Sequence, residues 1–329
     1  MIEWSEGADE VFRSDITVAA AYVTPAGGSV VVGVAPCGLA DRARGTVGFT
    51  TSLGFGKKLD RIVRDPHVAL AYHARDHGFS ASPRYVLAQG IASVDLEPSP
   101  ARLEAFTPQV VRYLGGLKRG PVWDRLLREY YAERVFVDIA VERVVTWPDL
   151  GAFGESGVAG PARVAPTPPQ HPPKGGTAPR VDVARTAGQL SSLTHRLLAW
   201  RGADGFPVVA PVALAGHDAA GLRLVVAPGL LPAGGRRAGL LGHAFRPQLV
   251  GLSTRVLTGW LTVADDGAAL YAPHTSKGFL APPRKSLLLV SNGLMAKVGH
   301  WQASRSGVAD RLRQVAADAG ASRRDTPRL

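Results

Sequence analysis

Seven residues in the N-terminal third of the chain gather chemistry that suits an anion. Thr50, Thr51 and Ser52 supply hydroxyls, Gly54 and Gly56 loosen the backbone, and Lys57 and Lys58 follow at the start of a helical pattern. A phosphate is held by such donors when hydroxyls, amide N–H groups and a cation converge at a helix N-terminus. Two lysines in that place oppose the helix macrodipole, at a cost of roughly 0.3–1 kcal/mol each. An anion between them would remove the conflict; the plain alternative is a solvated basic turn. Arg84 and Tyr85 open a later strand and could face the same anion, or Arg84 is simply an edge charge. A second basic pair, Arg236 and Arg237 with His243 beyond it, repeats the pattern behind Gly234 and Gly235. It either completes one shared site or is a vestige of another. No residue stands out as a catalytic acid or base, so the reacting group would be a cofactor and the protein its holder.

Other constellations are weaker. His73, Asp76 and His77 have a spacing that can hold metal on a helix, but they follow a strand, which argues against a metal site. No GxSxG elbow, Rossmann GxGxxG or GxxxxGK[ST] loop occurs. Trp147 and Trp260 lie at strand ends and read as core plugs.

The elements that must position these residues are mainly strands. Runs 16–23 and 29–35 flank the turn Thr24-Pro25-Ala26-Gly27-Gly28, and 45–51, 67–72, 85–94 and 135–145 are further β-type runs. A helix over 57–64 places Leu59, Ile62 and Val63 on one face and stops at Asp65-Pro66. Helices are expected over 99–106 and from Pro121. Residues 151–180 are rich in Pro and Gly and read as an exposed, protease-sensitive linker, with His171 facing solvent. Beyond it come a helix over 189–200, strands 208–214 and 221–227, a helix from Arg236 to about Phe245, strands 253–263 and 268–272, and a helix over 284–304.

Residues 45–95 and 221–263 run through the same order of signals, each ending on a strand with a central glycine, Gly90 or Gly259. A repeat of that length argues for two copies of one domain. The expected division is an N-terminal domain over 1–150, a linker over 151–185, a diverged copy over 186–305 and a C-terminal helix with a basic tail over 306–329. The fold class is mainly β with flanking helices (α+β), as two split β-barrels fused into an internal pseudo-dimer.

The bulk numbers fit this. A chain of 329 residues is comfortable as two domains, and 46% hydrophobic residues suffice for their cores. A net charge of +11 favours anionic small molecules; the basic residues are too dispersed, without interleaved aromatics, for nucleic acid. The single cysteine, Cys37, excludes internal disulfides and thiolate metal clusters. The N-terminal stretch is acidic and has no apolar signal core, and no apolar run reaches ~18 residues. A cytoplasmic protein with no membrane partner is expected, either a monomeric pseudo-dimer or a homodimer.

The stretch VGFTTSLGFGKKLDRIVRDPHVALAY, followed by RYVLAQGIASV, resembles the pyridoxamine 5'-phosphate oxidase-like, FMN-binding split-barrel superfamily over about residues 10–147. The resemblance implies a flavin in the seam between two barrels. Thr50, Thr51 and Ser52 would match the phosphate-side hydroxyls, Lys57 and Lys58 the basic pair, and Arg84 the arginine entering the later strand. Tyr85 stands where the oxidase has Gln, and the strand 30–34 lacks the oxidase's basic residues, a departure from true pyridoxamine phosphate oxidation. The cofactors implied are FMN or the deazaflavin F-420, with haem ranked below them. The activity implied is hydride transfer to or from a small molecule; a non-catalytic flavin, deazaflavin or haem carrier is the alternative.

Overall fold

A computed structural model describes residues 2–116, 134–162, 167–282, and 305, 307, 310, 312 and 314. The helices expected from Pro121 and over 284–304 lie outside these. The first sheet comprises β1 (Val18–Val23), β2 (Ser29–Val34), β3 (Ala40–Asp41), β4 (Thr46–Ser52), β5 (His67–Tyr72), β6 (Tyr85–Asp95) and β7 (Arg134–Trp147), with β8 (Gly157–Ala159) beside β7. The second comprises β9 (His195–Arg201), β10 (Pro207–Pro211), β11 (Ala213–Asp218), β12 (Gly221–Val225), β13 (Gly234–Ala244), β14 (Ser253–Val263) and β15 (Ala269–Leu280). The helices are α1 (Glu6–Phe12), α2 (Gly56–Arg64), α3 (Pro100–Leu114) and α4 (Val183–Ser191).

Both sheets have the same strand order. The first runs β2-β1-β5-β6-β7-β4-β3 and the second β10-β9-β13-β14-β15-β12-β11, every described pairing antiparallel. Each closes on itself through the second strand of its hairpin. Past β2, Ala35 bridges Thr50 of β4, and past β10, Ala213 pairs with Val225 of β12. Two split barrels result, fused as an internal pseudo-dimer.

The correspondence holds residue by residue. Gly90 and Gly259 each sit at a bulge, where a Cβ would lie 2.1 Å from the Ala140 carbonyl oxygen and 2.2 Å from that of Ala272. No side chain fits there, so both positions require glycine. With these two as reference, the partner strands bring Val68 into register with Ala238, and so His73 with His243. The hairpin turns agree as well: Thr24 N donates to Gly28 O as Gly202 N does to Phe206 O.

Strands β1 and β5 are buried on both faces, which explains their unbroken apolar sequence. Ala20, Tyr22, Val68, Leu70 and Tyr72 fill the first barrel. The alternate residues Ala19, Ala21, Ala69 and Ala71, with Tyr85, Leu87 and Trp147, pack against the second. Four alanines on that face let the sheets approach closely, so the seam between the halves is a core in its own right. Trp147 and Trp260 are both buried, at 4% exposure each.

Two expectations need correction. The stretch from Arg236 to Phe245 is not a helix but most of strand β13, and 189–200 divides into the end of α4, a short turn and β9. Leu197–Trp200 and Ala238–His243 are buried on every side because they lie between two barrels. A short run buried all round shows neither the helical nor the strand period, and cannot be assigned from pattern. The Pro-rich segment is also more structured than its composition suggests: β8 pairs with β7, and α4, capped by Asp182, begins within the stretch expected to be linker.

Candidate functional site

Strand β4 carries its three hydroxyls to the end of the first barrel and divides them between faces. Thr51 shares the inward face with Phe49, and Lys58 folds back from the first turn of α2 to donate to Thr51 Oγ1 at 2.7 Å. The ammonium lies 5.3 Å and 5.0 Å from the ring centres of Phe49 and Phe55. Enclosure alone pushes the Lys58 pKa down to about 7, and among the described residues no carboxylate pairs with it. Ser52 accepts from Gly54 N, 3.1 Å, and so shapes the turn. Thr50 points to the other face, within 3.5 Å of Arg134 Nη1. Lys57 is exposed. No side chain caps the N-terminus of α2. The arrangement is a half-buried cation beside the Thr51 hydroxyl, at the start of a helix that continues a 3-10 turn (Leu53–Phe55) capped by Ser52, and the cation with its hydroxyl is suited to an oxyanion.

Arg84 and Tyr85 are not brought to this end. Ser52 pairs with Arg134 at one end of β7, and Tyr85 pairs with Trp147 at the other. Twelve residues of strand separate those partners, roughly 40 Å along the chain. Arg84 is exposed over α1, where a Cβ on Gly7 would meet its guanidinium at 2.8 Å. Tyr85 is fully buried, and its hydroxyl donates across the seam to Val209 O at 2.6 Å. A buried network stands beside it: Gln89 donates to Pro207 O at 2.6 Å, Arg143 donates to Gln89 Oε1 at 2.7 Å, and Arg143 pairs with Asp204. These residues set the register of one half on the other.

The seam holds a further feature. His73 and His243, which occupy equivalent places in β5 and β13, meet Nε2 to Nε2 at 2.6 Å. His73 Nδ1 lies 2.9 Å from Ala71 O, which can only accept, so that nitrogen carries the proton. His243 Nε2–H must then donate to His73 Nε2. That leaves His243 Nδ1 as a bare lone pair with no partner among the described residues. His195 stands against both rings and pairs through Nε2 with Asp76 at 2.8 Å, while Phe245 stacks on His243. Burial pushes the His73 pKa down to about 3 and that of His243 well below its ordinary value. Both rings are neutral. The sequence did hold a sign of this pair, since HVALAYHA (67–74) and RAGLLGHA (237–244) share the pattern of a small residue and leucine ahead of His-Ala.

No family model matches the chain, and no curated protein matches it. Among solved structures, the chain is similar to one described as an F420 reductase, at 19% identity over 43% of this chain and 98% of that one, TM-score 0.31. It is similar to a pyridoxamine 5'-phosphate oxidase-related, FMN-binding protein of Nostoc punctiforme, at 10% identity over 60% and 87%, TM-score 0.28. A haem-binding protein of Mycobacterium smegmatis matches at 13% identity over 89% of this chain and 98% of its own, TM-score 0.31. None of the three supplies a residue role to this chain.

Proposed function

We propose that the chain is a flavin- or deazaflavin-dependent oxidoreductase, a tandem of split barrels with an anion anchor in the first. One observation carries the reading: Lys58 is half-buried against Phe49, Phe55 and Thr51 with no counter-ion among the described residues, in a barrel whose sequence resembles the FMN-binding superfamily. A partly desolvated cation without a partner is disfavoured until an anion completes it. The donor set of the Lys58 ammonium and the Thr51 hydroxyl fits a phosphate. Lys57 lies close enough in sequence to add charge at the rim, and Thr50 and Ser52 hold the strand end in shape.

When bound, FMN or F-420 supplies hydride chemistry. Lys58 and Thr51 would anchor its phosphate. Domains over 1–150 and 186–305 act as the two halves, and their mutual burial favours a monomeric pseudo-dimer in the cytoplasm. No helix among the described residues is long and apolar enough to cross a membrane.

The test is the absorption spectrum of the purified chain titrated with FMN, F-420 and haemin, followed by addition of a reductant. A bound flavin or deazaflavin that is then turned over supports the reading. Binding without turnover makes the chain a carrier. Lys57→Ala with Lys58→Ala should weaken binding without unfolding; unchanged affinity would remove the anchor assigned here.

A further inference from the structure

We propose that this chain takes one cofactor and not two, because the second half keeps no counterpart of the anchor among the described residues and Arg236 of its basic pair holds the linker in place. The inference rests on the cofactor reading above. It follows from the register that pairs Ile139 with Val47 in one half and Tyr271 with Leu222 in the other. By that register Thr50, Thr51 and Ser52 correspond to Val225, Val226 and Ala227, and all three hydroxyls are gone. Fourteen residues separate Ser52 from His67 and include α2, whereas nine separate Ala227 from the corresponding Arg237 and contain no helix. Among the described residues Lys58 therefore has no counterpart, and the connection from Ala227 to Arg237 offers no helix start at that end of the second barrel.

The basic pair that the sequence offered in exchange is otherwise engaged. Arg236 is 1% exposed, and its guanidinium donates to the carbonyls of Pro232 at 2.8 Å, Ala233 at 2.5 Å and Thr167 at 3.2 Å. Thr167 belongs to the linker, which continues across the start of β13. Gln170 N donates to Gly235 O at 2.7 Å, and Arg237 N donates to Gln170 Oε1 at 3.0 Å. The same side chain donates through Nε2 to Gly27 O of the first half at 2.8 Å. Pro169 lies so close to Gly234 that a Cβ there would meet it at 2.6 Å. In the first half the corresponding stretch is preceded by α2, and Asp65 serves its own neighbour His67 N at 3.3 Å. The linker thus occupies backbone donors and acceptors that the first half satisfies locally, and it ties the second barrel to the β1–β2 turn.

The experiment is the binding stoichiometry of the full chain, by calorimetric titration with FMN and, separately, F-420. Wild type, Lys58→Met and Arg237→Ala are compared, each checked for folding by circular dichroism. The expected result is one equivalent per chain, weakened tenfold or more by Lys58→Met and unchanged by Arg237→Ala. Two equivalents would overturn the inference and leave the cofactor reading standing. One equivalent that survives Lys58→Met and falls in Arg237→Ala would overturn the inference together with the Lys58 anchor of the cofactor reading. No binding of either cofactor would overturn both.

Discussion

The pKa of Lys58 near 7 makes cofactor affinity a function of pH, and the direction can be worked out. In the free protein the amine is enclosed without a counter-ion, so its charged form is disfavoured. A bound phosphate supplies the opposite charge and lifts the pKa, so binding takes up a proton wherever the free amine is neutral. About half the free chains carry the charge at pH 7 and roughly 1% at pH 9, which predicts a loss of affinity of about 50-fold across that window. The window starts at pH 7 because a phosphate monoester has its own second pKa of ≈ 6 and is close to fully dianionic above it. Lys58→Arg keeps its charge throughout and should bind with a flat profile. Lys58→Met, which lacks the charge at every pH, should bind about 50-fold or more weakly at pH 7, within the roughly 1.5–3 kcal/mol of a lost hydrogen bond to a charged group. Wild type should approach it by pH 9. The assay is a fluorescence titration with whichever of FMN and F-420 binds, with riboflavin as the phosphate-free control. A wild-type affinity that stays level from pH 7 to 9, or a riboflavin affinity that falls equally, would refute the assignment of Lys58 to the phosphate.

The remaining predictions concern the seam. The pKa of His73 and His243 is lowered by folding, so the unfolded chain binds more protons below about pH 6.5 and stability falls as pH drops toward 3. Each proton excluded costs about 2 kcal/mol by pH 5. Thermal melts of wild type from pH 7.5 to 5 should fall more steeply than those of His73→Leu with His243→Leu, and parallel slopes would contradict the neutral pair. Arg143→Met should destabilise the fold by about 3–5 kcal/mol, because it strands Asp204 and Gln89 in the seam; urea unfolding measures it, and a change under 1 kcal/mol would show that the network is not holding the halves. Gly90→Ala and Gly259→Ala should each prevent or severely weaken folding, since both carbonyl contacts involve backbone that cannot move aside. Soluble expression and a normal melt for either would put the bulge register in doubt.

Much of the architecture was legible along the chain. Turn signals at Thr24–Gly28 and Asp204–Gly205, β-branched runs between them, and the recurrence of Gly90 as Gly259 were enough to expect two barrels of one design. The Thr51–Lys58 contact was within reach too, because strand, turn and helix start are contiguous and local geometry folds the lysine back on the strand.

What the sequence could not decide was set by burial between the halves. The segments at 195–201 and 234–244 are enclosed by protein on all sides, so solvent imposes no period on them, and only strand pairing assigns them. For the same reason Arg236 resembled a helix-start cation in sequence but is a buried strand residue that holds the linker. Arg84, near Lys58 by family pattern, ends at the opposite end of β7, a distance fixed by register. The meeting of His73 and His243, 170 residues apart, needed the two barrels to be placed face to face. Sequence determined the local chemistry of each strand and turn; only packing of one half on the other determined which of those chemistries share a site.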